Sequence, residues 1–116
     1  MAMEMYKAYL EEREKKKFVE VEHGFATYQF IDKWCYICDI YVVPEHRQTK
    51  VASRLADKVA EIAIENGYDW LMGSVDVRAP GSSVSLLSQL RYGFKLLHND
   101  GQMIYLDKFI KPERKS

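Results

Sequence analysis

The stretch DIYVVPEHRQTKVASRLADKVAEIA, Asp39 to Ala63, constrains the fold of this chain more than any other. A β-branched and aromatic run reads as a strand and stops at Pro44, which cannot donate to a sheet ladder. Pro44-Glu45-His46-Arg47-Gln48-Thr49-Lys50 then makes a short charged loop. A helix follows from about Thr49 to Asn66. It carries Val51, Leu55, Val59, Ile62 and Ala63 on one stripe, and Arg54, Asp57, Lys58, Glu61 and Glu65 mostly on the other. Gly67 stands where a helix C-terminus favours glycine. A strand that turns directly into a helix start leaves backbone N–H groups unpaired at the positive end of the helix dipole. Such a site takes phosphate or pyrophosphate.

The rest of the chain supplies a sheet around that unit. Ala2 to Lys15 reads as a helix, with Met5, Tyr6, Tyr9 and Leu10 at helical spacing. Lys17 to Gly24 alternates apolar and polar; Gly24 breaks the run, and Phe25 to Asp32 alternates again as a hairpin partner. Trp34 to Val43 is apolar at almost every position, the pattern of a central strand covered on both faces. Tyr68 to Val77 is another strand, and Arg78-Ala79-Pro80-Gly81 begins a turn. Ser82 or Ser83 can cap a short helix that Gly93 closes. Phe94 to Asp100 and Gln102 to Ile110 make a last hairpin around Gly101. This order predicts one α/β (α+β) domain over residues 1–116: a mixed, mostly antiparallel sheet of about six strands with helices on both faces.

Composition removes several classes of function. Lys and Arg number 17, as do Asp and Glu, so the net charge of +0 creates no field toward nucleic acid or an anionic membrane. The basic runs Lys15–Lys17 and Lys111–Lys115 are short and terminal, and read as solvated. No apolar run approaches the ~20 residues needed to span a bilayer, and the N-terminus is charged where a signal peptide is apolar. A cytoplasmic protein is expected. Cys35 and Cys38 lie three apart in a strand and should face opposite sides. They read as buried free thiols rather than a disulfide or half of a zinc site. His23, His46 and His98 show no metal-ligand spacing, and His46, in the charged loop, is expected to face solvent.

The segment from Ile37 to Leu97 is similar to the GNAT acetyltransferase superfamily. In that family a strand ending V-x-P-E-x-R leads into Q/R-x-x-G-x-G/A, and a later helix ends in GF. Here Val42-x-Pro44-Glu45-x-Arg47 matches, Arg47 fills the Q/R position, Ala52 the last position, and Gly93-Phe94 the GF. The resemblance implies acetyl-CoA as cofactor. Tyr41, Val42 and Val43 would run along its pantetheine. The loop amides of Gln48, Thr49, Lys50, Val51 and Ala52 would hold its pyrophosphate, helped by the Arg47 and Lys50 side chains. It also implies the activity: an N-acetyltransferase in which an amine of a small molecule or protein attacks the thioester directly in a ternary complex. A backbone N–H near Tyr41 to Val43 would meet the oxyanion, and Tyr28, Phe30 and the Ala79-Pro80-Gly81 turn would shape the acceptor site. Relative to the family the chain begins at the second helix. That leaves a sheet edge which a homodimer is one way to cover.

The sequence departs from the family at chemically important positions. The middle glycine of the loop is Lys50, whose Cβ crowds the approach while its ammonium attracts phosphate. The tyrosine four residues before the GF glycine, which protonates the leaving thiolate in many members, is Gln89, and the asparagine seven residues earlier is Ser82. Glutamine is no proton donor of useful pKa. Tyr92 and Ser85 are the nearby hydroxyls that could replace it. The attacking amine must lose a proton, since a free lysine has a pKa near ~10.4. Asp39, a carboxylate inside an apolar strand whose burial would raise its pKa, is the expected base. Tyr36, one strand pitch back and on the other face, is a further candidate. These departures keep a second reading open. It is a GNAT-like domain without catalysis, serving as a binding or structural component in the way small phage proteins of this fold suggest. An accidental likeness would lack the splay between the Trp34–Val43 and Tyr68–Val77 strands.

Overall fold

The computed structural model describes residues 2–110; the Lys111–Lys115 run lies outside them. Helix α1 (Ala2–Tyr9) continues into a wider π-type turn over Leu10–Glu14, which ends at Lys15 in a left-handed conformation. Strands β1 (Lys17–Val21), β2 (Gly24–Ile31) and β3 (Trp34–Val42) follow as an antiparallel meander. The sequence then crosses through α2 (Val51–Glu65) to β4 (Trp70–Asp76), which lies parallel to β3. Helix α3 (Ser82–Tyr92) leads to the hairpin β5 (Lys95–Asn99) and β6 (Met103–Phe109). The six strands lie in the order β1-β2-β3-β4-β6-β5, and only the β3–β4 pair is parallel. The predicted mixed, mostly antiparallel sheet is what forms.

The core is the layer between the sheet and α2. The stripe read from the sequence is the buried one: Val51, Leu55, Val59 and Ala63 pack on Ala26, Tyr28, Cys35, Leu71 and Leu106. At roughly 25 cal/mol per Å² of apolar surface removed from water, this layer supplies most of the drive to fold. Helix α3 lies on the same face: the Gln89 amide reaches β4, and Tyr92 reaches α2. Helix α1 lies on the other face, where Tyr6 sets its ring edge against Phe18 (6.0 Å) and Phe25 (6.4 Å). Helices therefore cover both faces, as expected.

Several local expectations are corrected. Gly24 does not break the first hairpin but opens β2; the turn is Glu22-His23, with His23 at φ 75. No serine caps α3. Gly81, left-handed at φ 79, holds the cap position, and the Ser82 hydroxyl donates instead to the Val77 carbonyl. Strand β3 is not covered on both faces throughout, because Asp39, Ile40 and Tyr41 are exposed. Both cysteines are free, Cys35 buried as expected and Cys38 only partly so. No helix among the described residues is long and apolar enough to cross a membrane.

Candidate functional site

Two irregularities in β3 build the site. The first is a bulge. Thr27 pairs with Asp39 while the next β2 residue, Tyr28, pairs with Ile37, so Cys38 is an extra residue on β3. The second is a parting of strands. β3 and β4 stay in register only for Trp34–Trp70, Cys35–Leu71 and Tyr36–Met72. Beyond them β3 runs on to Val42 and β4 to Asp76 with a wedge between. A bulged strand bends and twists more strongly, which carries β3 away from its parallel neighbour. The splay that an accidental likeness would lack is present.

Backbone groups line the β3 side of that wedge. The Val43 N–H donates to the His23 carbonyl at 2.9 Å, so His23 and Val43 form a bonded pair across the hairpin. Bonded and unbonded pairs alternate in an antiparallel ladder. Tyr41, opposite Phe25, is then the next bonded position, and the backbone groups of Ile40 and Val42 turn away from β2 toward the wedge. Of the expected pantetheine contacts, Val42 keeps its N–H available. Val43 does not, and Ile40 is a position the sequence reading missed. Alternation of pairs was the signal for it, but it required the register.

The loop after β3 carries the chain into α2. Pro44–His46 is one 3₁₀ turn, started by the fixed φ of Pro44. Arg47 folds back: its Nε donates to the Val42 carbonyl at 2.9 Å, and its guanidinium lies 5.5 Å from the Tyr41 ring centre. The Thr49 hydroxyl donates to the His46 carbonyl at 2.5 Å and faces the Val51 N–H. His46 stacks on His23, ring centres 3.5 Å apart, so the loop is clamped to the β1–β2 turn rather than leaving His46 free in solvent. The left-handed residue is Gln48 at φ 60, whereas Lys50 has φ −100. A side chain therefore costs Lys50 no backbone strain, and the missing glycine is tolerated. The first bond within α2 runs from the Arg54 N–H to the Lys50 carbonyl at 3.0 Å. The N–H groups of Ala52 and Ser53 precede it, on two exposed residues and without an acidic side chain in the first turn. Arg47, Gln48, Thr49 and Lys50 are all exposed around them. Positive dipole, open amides and two cations coincide where the wedge opens.

The predicted catalytic groups divide between the two sheet faces. Asp39 is not buried: its side chain is 58% exposed, accepts from the Thr27 hydroxyl at 2.6 Å, and lies 3.8 Å from the Lys16 ammonium. The burial argument for it as a base is withdrawn, and its partners account for a carboxylate in this strand. Because Cys38 is a bulge, Asp39 shares its face with Tyr36 rather than opposing it. Tyr92 points from α3 to α2, where its hydroxyl donates to Asp57 at 2.6 Å. Burial first, and then this bond, push its pKa well above the usual tyrosine range. Such a phenol is a poor acid, and its hydroxyl is bound away from the wedge. Ser85 is exposed, with the Gln89 amide 3.4 Å from its hydroxyl. Gln89 holds the Ser74 carbonyl through Nε2 at 3.2 Å, while its buried Oε1 has no partner. Tyr28 is buried in the α2 core and Phe30 stacks on Tyr68 at 4.4 Å, both on the sheet face opposite Tyr36 and Asp39.

On the face away from α2 and α3, the wedge is bordered by Tyr36, Asp39 and Tyr41 from β3 and by Met72 and Ser74 from β4. The Tyr36 and Ser74 hydroxyls meet at 2.6 Å. A concavity lined by Asp32, Asn66, Gly67 and Asp69 lies at the opposite ends of β3 and β4. Open α/β sheets place their sites at the carboxyl ends of strands, where the wedge is.

Known proteins agree with this geometry. A model of the acetyltransferase (GNAT) family matches residues 3–82. A thialysine N-epsilon-acetyltransferase from Sus scrofa is 36% identical over 67 residues, covering 47% of this chain and 39% of that protein. The chain thus spans about two fifths of the length of that relative. Among solved structures, a GNAT-family protein from Desulfovibrio desulfuricans superposes with a TM-score of 0.73 at 16% identity, covering 94% of this chain and 79% of that one. A GNAT family acetyltransferase from Elizabethkingia anophelis with acetyl-CoA bound gives 0.68 at 17% identity, covering 91% and 82%. With the family model spanning more than half of its residues, and the splay and loop in place, the chain belongs to the acetyltransferase (GNAT) family.

Proposed function

We propose that the protein transfers an acetyl group from acetyl-CoA to a primary amine. The observation that carries this reading is the parting of β3 and β4 beside the exposed start of α2. In it the pyrophosphate rests on the loop from Gln48 to Ala52, with Lys50 and the free edge of the Arg47 guanidinium beside it. The pantetheine takes the place of the missing strand partner and hydrogen-bonds the backbone of Ile40 and Val42. The thioester carbonyl then lies against a β3 N–H, which stabilises the oxyanion as charge develops. Holding amine and thioester in line supplies much of the rate, because no covalent enzyme intermediate is required.

Thialysine, named for the Sus scrofa relative, is the first acceptor to test, with lysine and simple diamines beside it. Calorimetry with acetyl-CoA is the deciding experiment, run alongside an Arg47→Ala, Lys50→Glu double variant. Micromolar binding that the variant loses supports the cofactor site. Absence of binding by the unsubstituted protein overturns the reading. Gln89 at the position of the usual acid favours a second reading, an acyl-CoA-binding domain without turnover. Binding without thiol release with any amine of the panel would select it.

A further inference from the structure

We infer that Tyr36 and Ser74 form the proton relay of the transfer reaction, a catalytic hydroxyl pair carried on the two parting strands rather than on α3. This inference rests on the acetyl-transfer reading above. Its basis is position. Tyr36 belongs to the last in-register pair of β3 with β4, and Ser74 lies two residues further along β4, where the strands have begun to separate. The 2.6 Å contact between their hydroxyls therefore spans the throat of the wedge, and both side chains are partly buried. On this face α1 packs against Phe18 of β1 and Phe25 of β2. Tyr36 and Ser74, on β3 and β4, stay partly exposed, so an amine can reach the pair while the thioester enters along β3.

The surrounding bonds hold the pair in place. The Ser74 carbonyl accepts from the Gln89 amide at 3.2 Å, which fixes the β4 backbone at this residue. Gln89, unable to act as an acid, thereby braces the strand that carries a hydroxyl. Two of the groups the sequence offered for proton transfer are engaged elsewhere. The Tyr92 hydroxyl serves Asp57, and Asp39 accepts from Thr27 beside Lys16.

The chemistry balances from the neutral amine, which forms when the ammonium gives one proton to solvent before attack. The amine nitrogen forms a bond to the thioester carbonyl carbon, and collapse of the tetrahedral intermediate breaks the C–S bond. Nitrogen gives up one proton and sulfur takes one. One hydroxyl of the pair accepts the nitrogen proton while the other donates its own to sulfur. A proton shift across the 2.6 Å contact restores both.

The test compares Tyr36→Phe, Ser74→Ala and the double variant with the unsubstituted protein, using acetyl-CoA, thialysine and detection of the released thiol. Tyr36→Phe is expected to lower kcat about 100-fold or more, within the range of general acid–base catalysis. Its acetyl-CoA Kd by calorimetry should stay within about threefold. The double variant should be no slower than Tyr36→Phe, because the two act as a unit. Ser74→Thr, which keeps a hydroxyl, should recover most of the rate lost in Ser74→Ala. A Tyr36→Phe protein with kcat within threefold of the original overturns the relay. So does a rate loss matched by an equal loss of acetyl-CoA affinity, which would make the pair a staple of the wedge. Binding of acetyl-CoA without thiol release by the unsubstituted protein overturns the relay and leaves the cofactor site. Failure to bind acetyl-CoA overturns the reading beneath it.

Discussion

The Tyr92 hydroxyl donates to the Asp57 carboxylate at 2.6 Å, and this bond ties α3 to α2 on the core side of the sheet. Phe94 packs near Tyr92, ring centres 5.8 Å apart, and the Lys108 ammonium lies 5.2 Å above the Tyr92 ring. A residue that sequence analysis offered as an acid is a fastener. Tyr92→Phe should cost about 1 kcal/mol of stability by urea denaturation, the usual net worth of such a bond at a half-buried position. The pH dependence follows from the raised pKa. The neutral phenol stabilises the fold fully below the unfolded value of about 10, and that contribution is lost as pH rises through the folded value. Stability of the original protein should therefore fall above about pH 10, and the Phe variant should fall less steeply.

Two glycines should respond differently to alanine. A Cβ at Gly24 would lie 2.6 Å from the Tyr41 carbonyl, a backbone atom that cannot swing away. At Gly73 the obstacle is the tip of the Gln89 side chain, which can rotate at the cost of its bond to Ser74. Gly24→Ala should lose about 2–3 kcal/mol and Gly73→Ala about 1 kcal/mol, read by thermal or urea denaturation. Equal costs would show that Gln89 is as immobile as backbone.

The thiols should separate by rate. Burial, and then the nearby Cys38, push the Cys35 pKa up to about 12, which keeps it protonated and out of contact with reagents. With an aromatic disulfide reagent at pH 8, one thiol per chain, Cys38, should react in the folded protein. Cys35 should react only with unfolding. A Cys38→Ser variant that still reacts quickly would contradict this assignment.

Lys50→Gly, which restores the family glycine, should weaken acetyl-CoA binding several-fold rather than strengthen it. At φ −100 this position gains nothing from glycine's freedom, while the substitution removes an ammonium from the proposed pyrophosphate loop. The difference should shrink as salt is raised, because exposed charges are screened. Titrations at two ionic strengths read both effects.

The sequence by itself determined what local periodicity and covalent geometry determine. The 3.6-residue stripe from Val51 to Ala63 chose the buried side of α2, and Pro44 ended β3. Gly67 and Gly93 closed their helices at positive φ. The loop was legible because a strand that turns into a helix start sets out backbone amides by the order of elements alone, almost without side chains. The tertiary structure decided what depends on pairing between distant residues. Alternation from Trp34 onward set Tyr36 and Asp39 on opposite faces, but the register of β2 against β3 extruded Cys38 and brought them to one. A single extra residue inverts every side chain beyond it, because the strand period is two. Asp39 read as buried from its apolar neighbours, yet β4 parts from β3 before reaching it and leaves it in solvent. Tyr92 was a free hydroxyl in the sequence and became a fastener only when α2 brought Asp57 to it.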